Sequence, residues 1–596
     1  MSTRPPPRWP RALGALPSAW GWLLLLQSVA LAVVLTFPMA LSPTSAAIGS
    51  PDSDTAKHLW TLWWMRAEAL DGVSGLRTTL IGAPGGVELF PIEPLHGLVA
   101  LLLPLPPVAL SNLLALVDLS ATGVAAGWAA SLLVEGARGE PTGLPWRVQP
   151  GAPAPLRRLP ALVAGLLLQG SSFAAYTLHV GVGELRQLWW LPLCLGLLAR
   201  VRAAADLRGA LRAGLWAGLG LAGAALSCFY YGLFAAVMAV AFAGLSLLLG
   251  PGPRLRAVVG WAAAAALSLA VVLPTARAFS TTTGEQGARV LAPIDAQGRV
   301  SPALARDCAN LDELLAPQRG ARARADRQRL AYAGGRYLSV FGLGLLILGV
   351  AAKPRAGLPL LGVAAAGALL SLGPVLHLGQ APVLRGGAPV LLPTAALFST
   401  LAERFAALHF PSRFLALSAL GVALLGALAV RRWPKVTLLA LLCVGNVLWE
   451  DLSPYPRSLL RLPDQAGLRA LDAPGPMADL SFAALPNVER RSLSIAAQLA
   501  TGRATQAVPL ERLDALLGAD AAELRRLPLT QALAARGPAP TTFAAEAAAL
   551  RAAGFTTLLL TGPDAGPESP ARRALTAAWG APALGSGTAL WAIPAE

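Results

Sequence analysis

The residues best suited to chemistry stand close together near the start of the chain, in the stretch PDSDTAKHLWTLWW (51–64). Asp52 and Asp54 are one residue apart in a loop opened by Pro51. Carboxylates at i and i+2 can converge on one cation, or one can take a proton while the other orients it. Lys57 and His58 follow and supply a fixed cation and a titratable ring. Trp60, Trp63 and Trp64 share one face of a helix, and such aromatics favour the boundary between lipid and water. The stretch reads as an acidic loop feeding an amphipathic helix on a membrane surface. The plainer reading is a solvated loop followed by an aromatic anchor, the commoner fate of an isolated DxD.

Other candidates are scattered. The chain has five histidines, His58, His96, His179, His377 and His409, all in segments that flank apolar runs, and the last 146 residues hold none. Each alone is more simply incidental than catalytic, yet gathering toward one surface is what a site there would show. Arg413, in FPSRF (410–414), stands at the mouth of an apolar run, where an arginine snorkels by default or holds a lipid phosphate in two-point contact. Tyr230 and Tyr231 read as belt residues at a helix turn. Asp118 is the one acid well inside an apolar run, so it faces the bundle interior or caps a shorter span. The four cysteines, Cys194, Cys228, Cys308 and Cys443, show neither paired nor metal-ligand spacing.

The elements that must position these residues are mostly membrane helices. Of 596 residues, 55% are hydrophobic and only 13% charged, and the mean hydropathy of +0.57 is more than a soluble core can hide. Apolar runs at 20–41, 108–134, 159–177, 185–200, 212–228, 230–249, 257–275, 336–352, 357–374, 412–430 and 434–450 predict about eleven transmembrane helices, the fourth short enough to be broken or tilted. The first is too long for a cleaved signal core. The net charge of +16 sits largely in short loops between runs, which is topology and not a nucleic-acid surface. With residues 1–19 in the cytoplasm, the arginine-rich short loops all fall inside, provided Pro94–Pro104 lies along the interface or re-enters. The outer side then receives loops 42–107 and 276–335, the latter with Arg319, Arg322, Arg324, Arg327 and Arg329 together, and a soluble tail, 451–596. A helix-like Ala544–Ala553, an apolar run Phe555–Leu560 and a closing Thr588–Ile593 make that tail a small α/β unit. The expected fold is an all-α polytopic bundle (20–450) with a C-terminal extracytoplasmic α/β domain, in the cytoplasmic membrane.

Taken in order, DSDTAKHLWTLWW, GAPGGVELFPIEPLHGL (82–98), ALSNLLAL (109–116), HVGVGELRQLWWLPL (179–193), SCFYYGLF (227–234) and HFPSRFLAL (409–417) resemble the GT-C membrane glycosyltransferases, in particular a bacterial group of GT-C-like proteins. The resemblance covers roughly residues 20–450. It implies transfer of a sugar from a polyprenyl-phosphate carrier to a glycan, lipid or protein acceptor at the outer face of the membrane, with no nucleic-acid partner. Asp54 is then the candidate base, with Asp52 its partner; both are the candidate ligands of any divalent cation. Lys57, His58, His179, His409 and Arg413 are the candidate groups around the donor phosphate. Two other classes stand beside this reading. A GT-C-like scaffold would keep the fold without the reaction. A lipid or glycan transporter would carry mid-membrane charges and inverted repeats, and no repeat is visible.

Overall fold

The computed structural model describes residues 19–49, 54–70, 77–83, 86–88, 93–135, 158–249, 254–290, 308–315, 335–378, 381–398, 410–451, 459–484, 488–506, 523–540 and 542–595. Asp52, His409 and the arginines at 319–329 lie outside the described residues.

Each of the eleven apolar runs contains a helix: α1 (Ala19–Leu35), α4 (Pro107–Glu135), α5 (Leu159–Gln169) with α6 (Ser172–Val180), α7 (Trp190–Ala203), α8 (Leu207–Ser227), α9 (Phe229–Leu249), α10 (Arg254–Val290), α11 (Val340–Ala352), α12 (Pro354–Ser371), α13 (Leu415–Arg432) and α14 (Thr437–Asp451). Two short helices precede α4, namely α2 (Thr55–Leu70) and α3 (Pro94–Leu102). Among the described residues, six segments suffice by length and composition to cross a bilayer: Pro107–Val134, Leu207–Ser227, Phe229–Leu249, Arg254–Arg277, Pro354–Ser371 and Pro411–Arg432. The pair α5 and α6, bent by 40° at Gly170–Ser171, would make a seventh. The bend has a local cause: Ser171 is extended and its hydroxyl accepts from the Ala174 amide, so α6 starts with a fresh N-cap.

Helix α13 is apolar all round, and every residue from Leu415 to Val430 is buried, which makes it the axis of the bundle. Helices α4, α5, α11 and α12 pack on it. The outer helices turn Leu26, Trp216, Val240, Leu248, Leu255, Leu269 and Ile347 outward, a surface suited to lipid and poorly suited to water.

The C-terminal domain is the expected α/β unit. Strands β3 (Met477–Asp479), β4 (Thr557–Thr561), β5 (Ala583–Gly585) and β6 (Thr588–Ala592) form a sheet of order β5-β6-β4-β3, in which β3 runs parallel to β4 and the other pairs are antiparallel. Strand β4 is buried throughout, and Leu558, Leu560 and Trp591 pack with Phe543, Leu550 and Leu575 of the covering helices. The helices are α15 (Leu480–Ala484), α16 (Val488–Thr501), α17 (Pro528–Ala535), α18 (Ala544–Ala552) and α19 (Pro570–Trp579).

This domain is stitched to one end of the bundle by backbone pairing. Strand β1 (Ala47–Ile48) runs antiparallel to β2 (Leu459–Leu460). The Thr505 amide donates to the Leu80 carbonyl at 2.9 Å, and the Ala83 amide to the Thr505 carbonyl at 3.1 Å. Asn112 of α4 locks the incoming loop: its carboxamide oxygen accepts from the Ile48 amide, and its nitrogen donates to the Pro43 and Ala46 carbonyls.

Asp479, at the end of β3, is fully buried; one oxygen accepts from the Phe482 amide, and the other has no hydrogen-bond partner among the described residues. Burial pushes its pKa up to about 7 against the Phe482 amide, Ser494 and Arg490. A raised acid binds its proton more tightly when folded, so the domain is favoured at low pH and loses that advantage as the pH climbs to about 7. In the intact protein, protection of the β4 amides, corrected for intrinsic exchange, is expected to fall between pH 5 and pH 8, and Asp479→Asn is expected to flatten the fall. An equal decline in both would contradict this.

Candidate active site

The stitched end of the bundle is where charge collects. Asp54 directly precedes α2, where the amide ends of a first turn favour a carboxylate. The packing there is close: Gly181, in the left-handed region at φ 60°, touches Thr55, and a Cβ at that position would collide with the Thr55 hydroxyl. Asp54 is 4% exposed. Its two oxygens are held from two sides: Oδ2 lies 3.0 Å from Lys57 Nζ, one turn along α2, and Oδ1 lies 3.1 Å from Arg491 Nη2 of α16, in the C-terminal domain. Burial raises the carboxyl pKa, but Lys57, Arg491 and His58 more than reverse this and hold it far below the usual range. The acid is thus firmly ionised and, in this conformation, weakly basic.

A second set of charges runs inward from His58. Its Nδ1 is paired with Glu93, the residue before α3, and its Nε2 lies 2.9 Å from Glu184, in the turn between α6 and α7. The other Glu93 oxygen is 2.6 Å from His96 Nδ1, and His96 Nε2 is 3.1 Å from Asp118 of α4. Trp189 donates its indole N–H to the remaining Asp118 oxygen at 3.1 Å. The result is an alternating row, Glu184, His58, Glu93, His96, Asp118. Each histidine has a carboxylate at both ring nitrogens, an arrangement that favours the doubly protonated ring. Burial opposes the charge, but the flanking carboxylates push His58 up to about 9 and His96 up to about 10. Glu93 and Glu184 are correspondingly held low, against burial, with His58 the chief cause in both. Gly183 makes room for the row, because a Cβ there would meet the Glu93 carboxylate at 2.7 Å.

Two arginines complete the surroundings. Arg186 donates to the carbonyls of Ser111 and Gly181 and ties α4 to the end of α6. Arg413 lies in a single helical turn, Pro411–Phe414, just before α13. It does not snorkel: it is 6% exposed, with its guanidinium carbon 4.6 Å from the Tyr230 ring centre and 4.2 Å from that of Phe410. Tyr230 and Tyr231 are buried and not belt residues; the Tyr231 hydroxyl donates to the Leu185 carbonyl at 2.6 Å.

Of the residues singled out by sequence, Asp54, Lys57, His58 and Arg413 come to this end of the molecule. His179 is half-buried in the last turn of α6. The tryptophan face of α2 meets protein and not lipid. Trp60 and Trp64 are fully buried, stack with ring centres 5.7 Å apart, and pack with Ile495 of α16, while the Trp60 N–H donates to Gln498 at 2.7 Å. Full burial of such a ring contributes about 2–3 kcal/mol, enough to draw α2 under the domain. Sequence reading passed over Glu93, Glu184 and Arg491 as site residues. The two glutamates stand almost alone in GVELFPIEPLHGL and HVGVGELRQLWWLPL, and an isolated acid amid apolar residues was the available signal. Nothing local marks Arg491, 437 positions from its partner.

His58, Glu93 and Glu184 can also offer one donor atom each within 4.8 Å of one another, a nitrogen and two oxygens suited to a divalent cation. The His58 Nε2 and Glu184 Oε2 atoms face each other at 2.9 Å, so an ion held between them would take the place of the His58 proton. Asp54 is taken by Lys57 and Arg491, which leaves the histidine–glutamate trio as the better donor set here.

Neither a protein-family model nor a curated protein matches the chain. Among solved structures, the chain resembles the archaeal oligosaccharyltransferase AglB from Archaeoglobus fulgidus in complex with an inhibitory peptide and a dolichol-phosphate, at 12% identity over 91% of this chain and 69% of that one, with a TM-score of 0.44. The apo form of the Archaeoglobus fulgidus enzyme matches at 12% identity over 91% and 69%, with a TM-score of 0.46. Its complex with Zn and sulfate matches at 12% over 91% and 68%, also at 0.46.

Removing one member of a buried charge pair typically costs about 3–5 kcal/mol. Glu93→Gln deprives both imidazolium rings of a counter-charge and is expected to lower the thermal midpoint by several degrees, read by thiol-dye labelling of the buried Cys194, Cys228, Cys308 and Cys443. An unchanged midpoint would show that the row carries no stability. Because the two histidine pKa values are raised, the row's contribution is present below the ordinary histidine range and lost as the pH rises through about 9–10. A cation entering the trio must displace the His58 proton, so Mn²⁺ titration followed in buffers of different ionisation enthalpy is expected to show about one proton released per ion. Binding without proton release would place the ion elsewhere.

Proposed function

We propose that the chain is a GT-C-type membrane glycosyltransferase. It moves a sugar from a polyprenyl-phosphate carrier to a glycan, lipid or protein acceptor at the outer face of the cytoplasmic membrane. On this reading all eleven apolar runs cross, with the N-terminus in the cytoplasm and the C-terminal domain outside. The observation that carries this reading is the gathering of ionised side chains at one end of an otherwise apolar bundle: Asp54, His58, Glu93, Glu184 and Arg413 are all buried there. Each buried ion costs several kcal/mol in desolvation, and buried charges gathered in this way are characteristic of functional sites.

In the proposed reaction the acceptor hydroxyl shares the Asp54 carboxylate with Arg491 and loses its proton to a free lone pair of that group. The acceptor oxygen bonds to the sugar's anomeric carbon, the bond from that carbon to the carrier phosphate oxygen breaks, and its electron pair leaves with the phosphate. Arg413 faces the phosphate, with Lys57 and His58 adding positive charge nearby. A divalent cation on His58, Glu93 and Glu184 would supply further neutralisation of the leaving phosphate.

A second reading is favoured by one specific observation. Asp54 is closed off and paired on both oxygens, as in a GT-C-like protein that keeps the fold without the reaction. A transporter fits less well, since Asp118, the acid deepest in a span, is paired with His96 and Trp189.

The two leading readings part on one experiment. With undecaprenyl-phosphate hexoses in nanodiscs and an envelope fraction as acceptor, Asp54→Asn is expected to lower sugar transfer by at least ~10³-fold while the protein accumulates normally. Arg413→Gln is expected to raise the donor KM by about tenfold or more. Parent-level transfer by Asp54→Asn would remove the enzymatic reading of this site.

A further inference from the structure

Helix α16 faces two ways. Arg490 points back into its own domain, donating to the Ser481 carbonyl at 2.7 Å and pairing with Asp564 at 2.9 Å. Arg491 reaches out to Asp54, and Gln498, two turns on, accepts from Trp60 at 2.7 Å while its nitrogen donates to the Leu80 and Arg503 carbonyls. Ile495 packs between them against Trp60 and Trp64. The residues after the helix pair with Leu80 and Ala83 through Thr505. The backbone that carries Arg491 is therefore held from behind by one ion pair and from the side by a seam of hydrogen bonds.

The Asp54 carboxylate needs such a hold. Lys57 grips one oxygen, but a single contact from the same helix leaves the carboxylate plane free to turn about its bond. Arg491 grips the other oxygen, and two contacts from different domains fix the plane. Both partners are 6% exposed at the side chain, so water does not loosen the pair.

We propose that the C-terminal domain completes the site: Arg491 is a positioning residue that orients the Asp54 carboxylate, and transfer depends on that one contact from α16. The proposal rests on the reading of Asp54 given above and adds to it the role of the soluble domain. Because Arg491 occupies one side of Asp54, an incoming acceptor hydroxyl must share or displace that contact, so the domain also governs which acceptors reach the carboxylate.

The test uses the full chain in nanodiscs, with release of undecaprenyl phosphate from undecaprenyl-phosphate hexoses as the rate and hydrogen exchange of residues 55–66 and 488–501 as the measure of docking. Arg491→Gln is expected to lower kcat by ~10–100-fold with the donor KM within about twofold and α2 protection retained. Arg491→Lys is expected to recover to within roughly fivefold of the parent, because an ammonium can still reach one carboxylate oxygen. Gln498→Ala, which cuts the neighbouring hydrogen bonds without touching Asp54, is expected to loosen α2 and keep kcat within about threefold. If Arg491→Gln keeps kcat while Asp54→Asn abolishes it, the positioning role is wrong and the site reading stands. If Arg491→Gln loses kcat only together with α2 protection, Arg491 is a structural tether and the proposal is overturned. If Asp54→Asn itself turns over like the parent, the site reading fails and takes the proposal with it.

Discussion

An ionised group buried in an apolar bundle survives only when an opposite charge lies against it, and that constraint shapes this end of the protein. Alternating acids and histidines from Glu184 to Asp118 satisfy one another in a row, and Asp54 is satisfied by two cations. The row draws on α2, α3, α4 and the turn before α7, so pairing these charges also sets where those elements meet. Hydrophobic packing alone would let the short helices α2 and α3 slide over the apolar surface, because it has no preferred register. The ion pairs give them one.

The same constraint explains why the C-terminal α/β domain sits so tightly on the helical bundle. Lys57 alone can neutralise Asp54 from within its own helix, but the domain arrives with a second cation and a glutamine that meets the Trp60 indole. Burial of Trp60 and Trp64 then becomes possible, since the polar edge of Trp60 has a partner. Three short backbone seams, at Ala47–Ile48, Leu80 and Ala83, hold the rest of the contact. Charge, aromatic burial and backbone pairing thus converge on one helix, α2, from three directions.

Much of the architecture was legible in the residues. Each of the eleven apolar runs holds a helix, and six of the described helices, or seven with the bent pair, are long and apolar enough to span, because a helix bordered by lipid must be apolar along its whole length. The strand at Phe555–Leu560 and the closing strand at Thr588–Ile593 also fell where their composition placed them, as Thr557–Thr561 and Thr588–Ala592. The tryptophan face of α2 was misjudged for a physical reason: a membrane interface and a protein interface both select large amphipathic rings, and spacing cannot tell them apart. Asp118, expected either to face the interior or to cap a shorter span, is buried within α4, and its partner His96 could not be named, since pairing over 22 positions depends on how α3 folds back on α4. Arg491 was invisible for the same reason on a longer scale. Side-chain type and local spacing report what a residue can do, whereas a partner from another domain is a property of the fold.

If the chain is the glycosyltransferase proposed, the charged end of the bundle receives a lipid phosphate at Arg413. The most direct measurement is the structure of the full chain in nanodiscs, determined by cryo-electron microscopy with undecaprenyl phosphate added. Phosphate density against the Arg413 guanidinium is the predicted result. Phosphate bound at another place on the bundle, with Arg413 still packed between Tyr230 and Phe410, would contradict it.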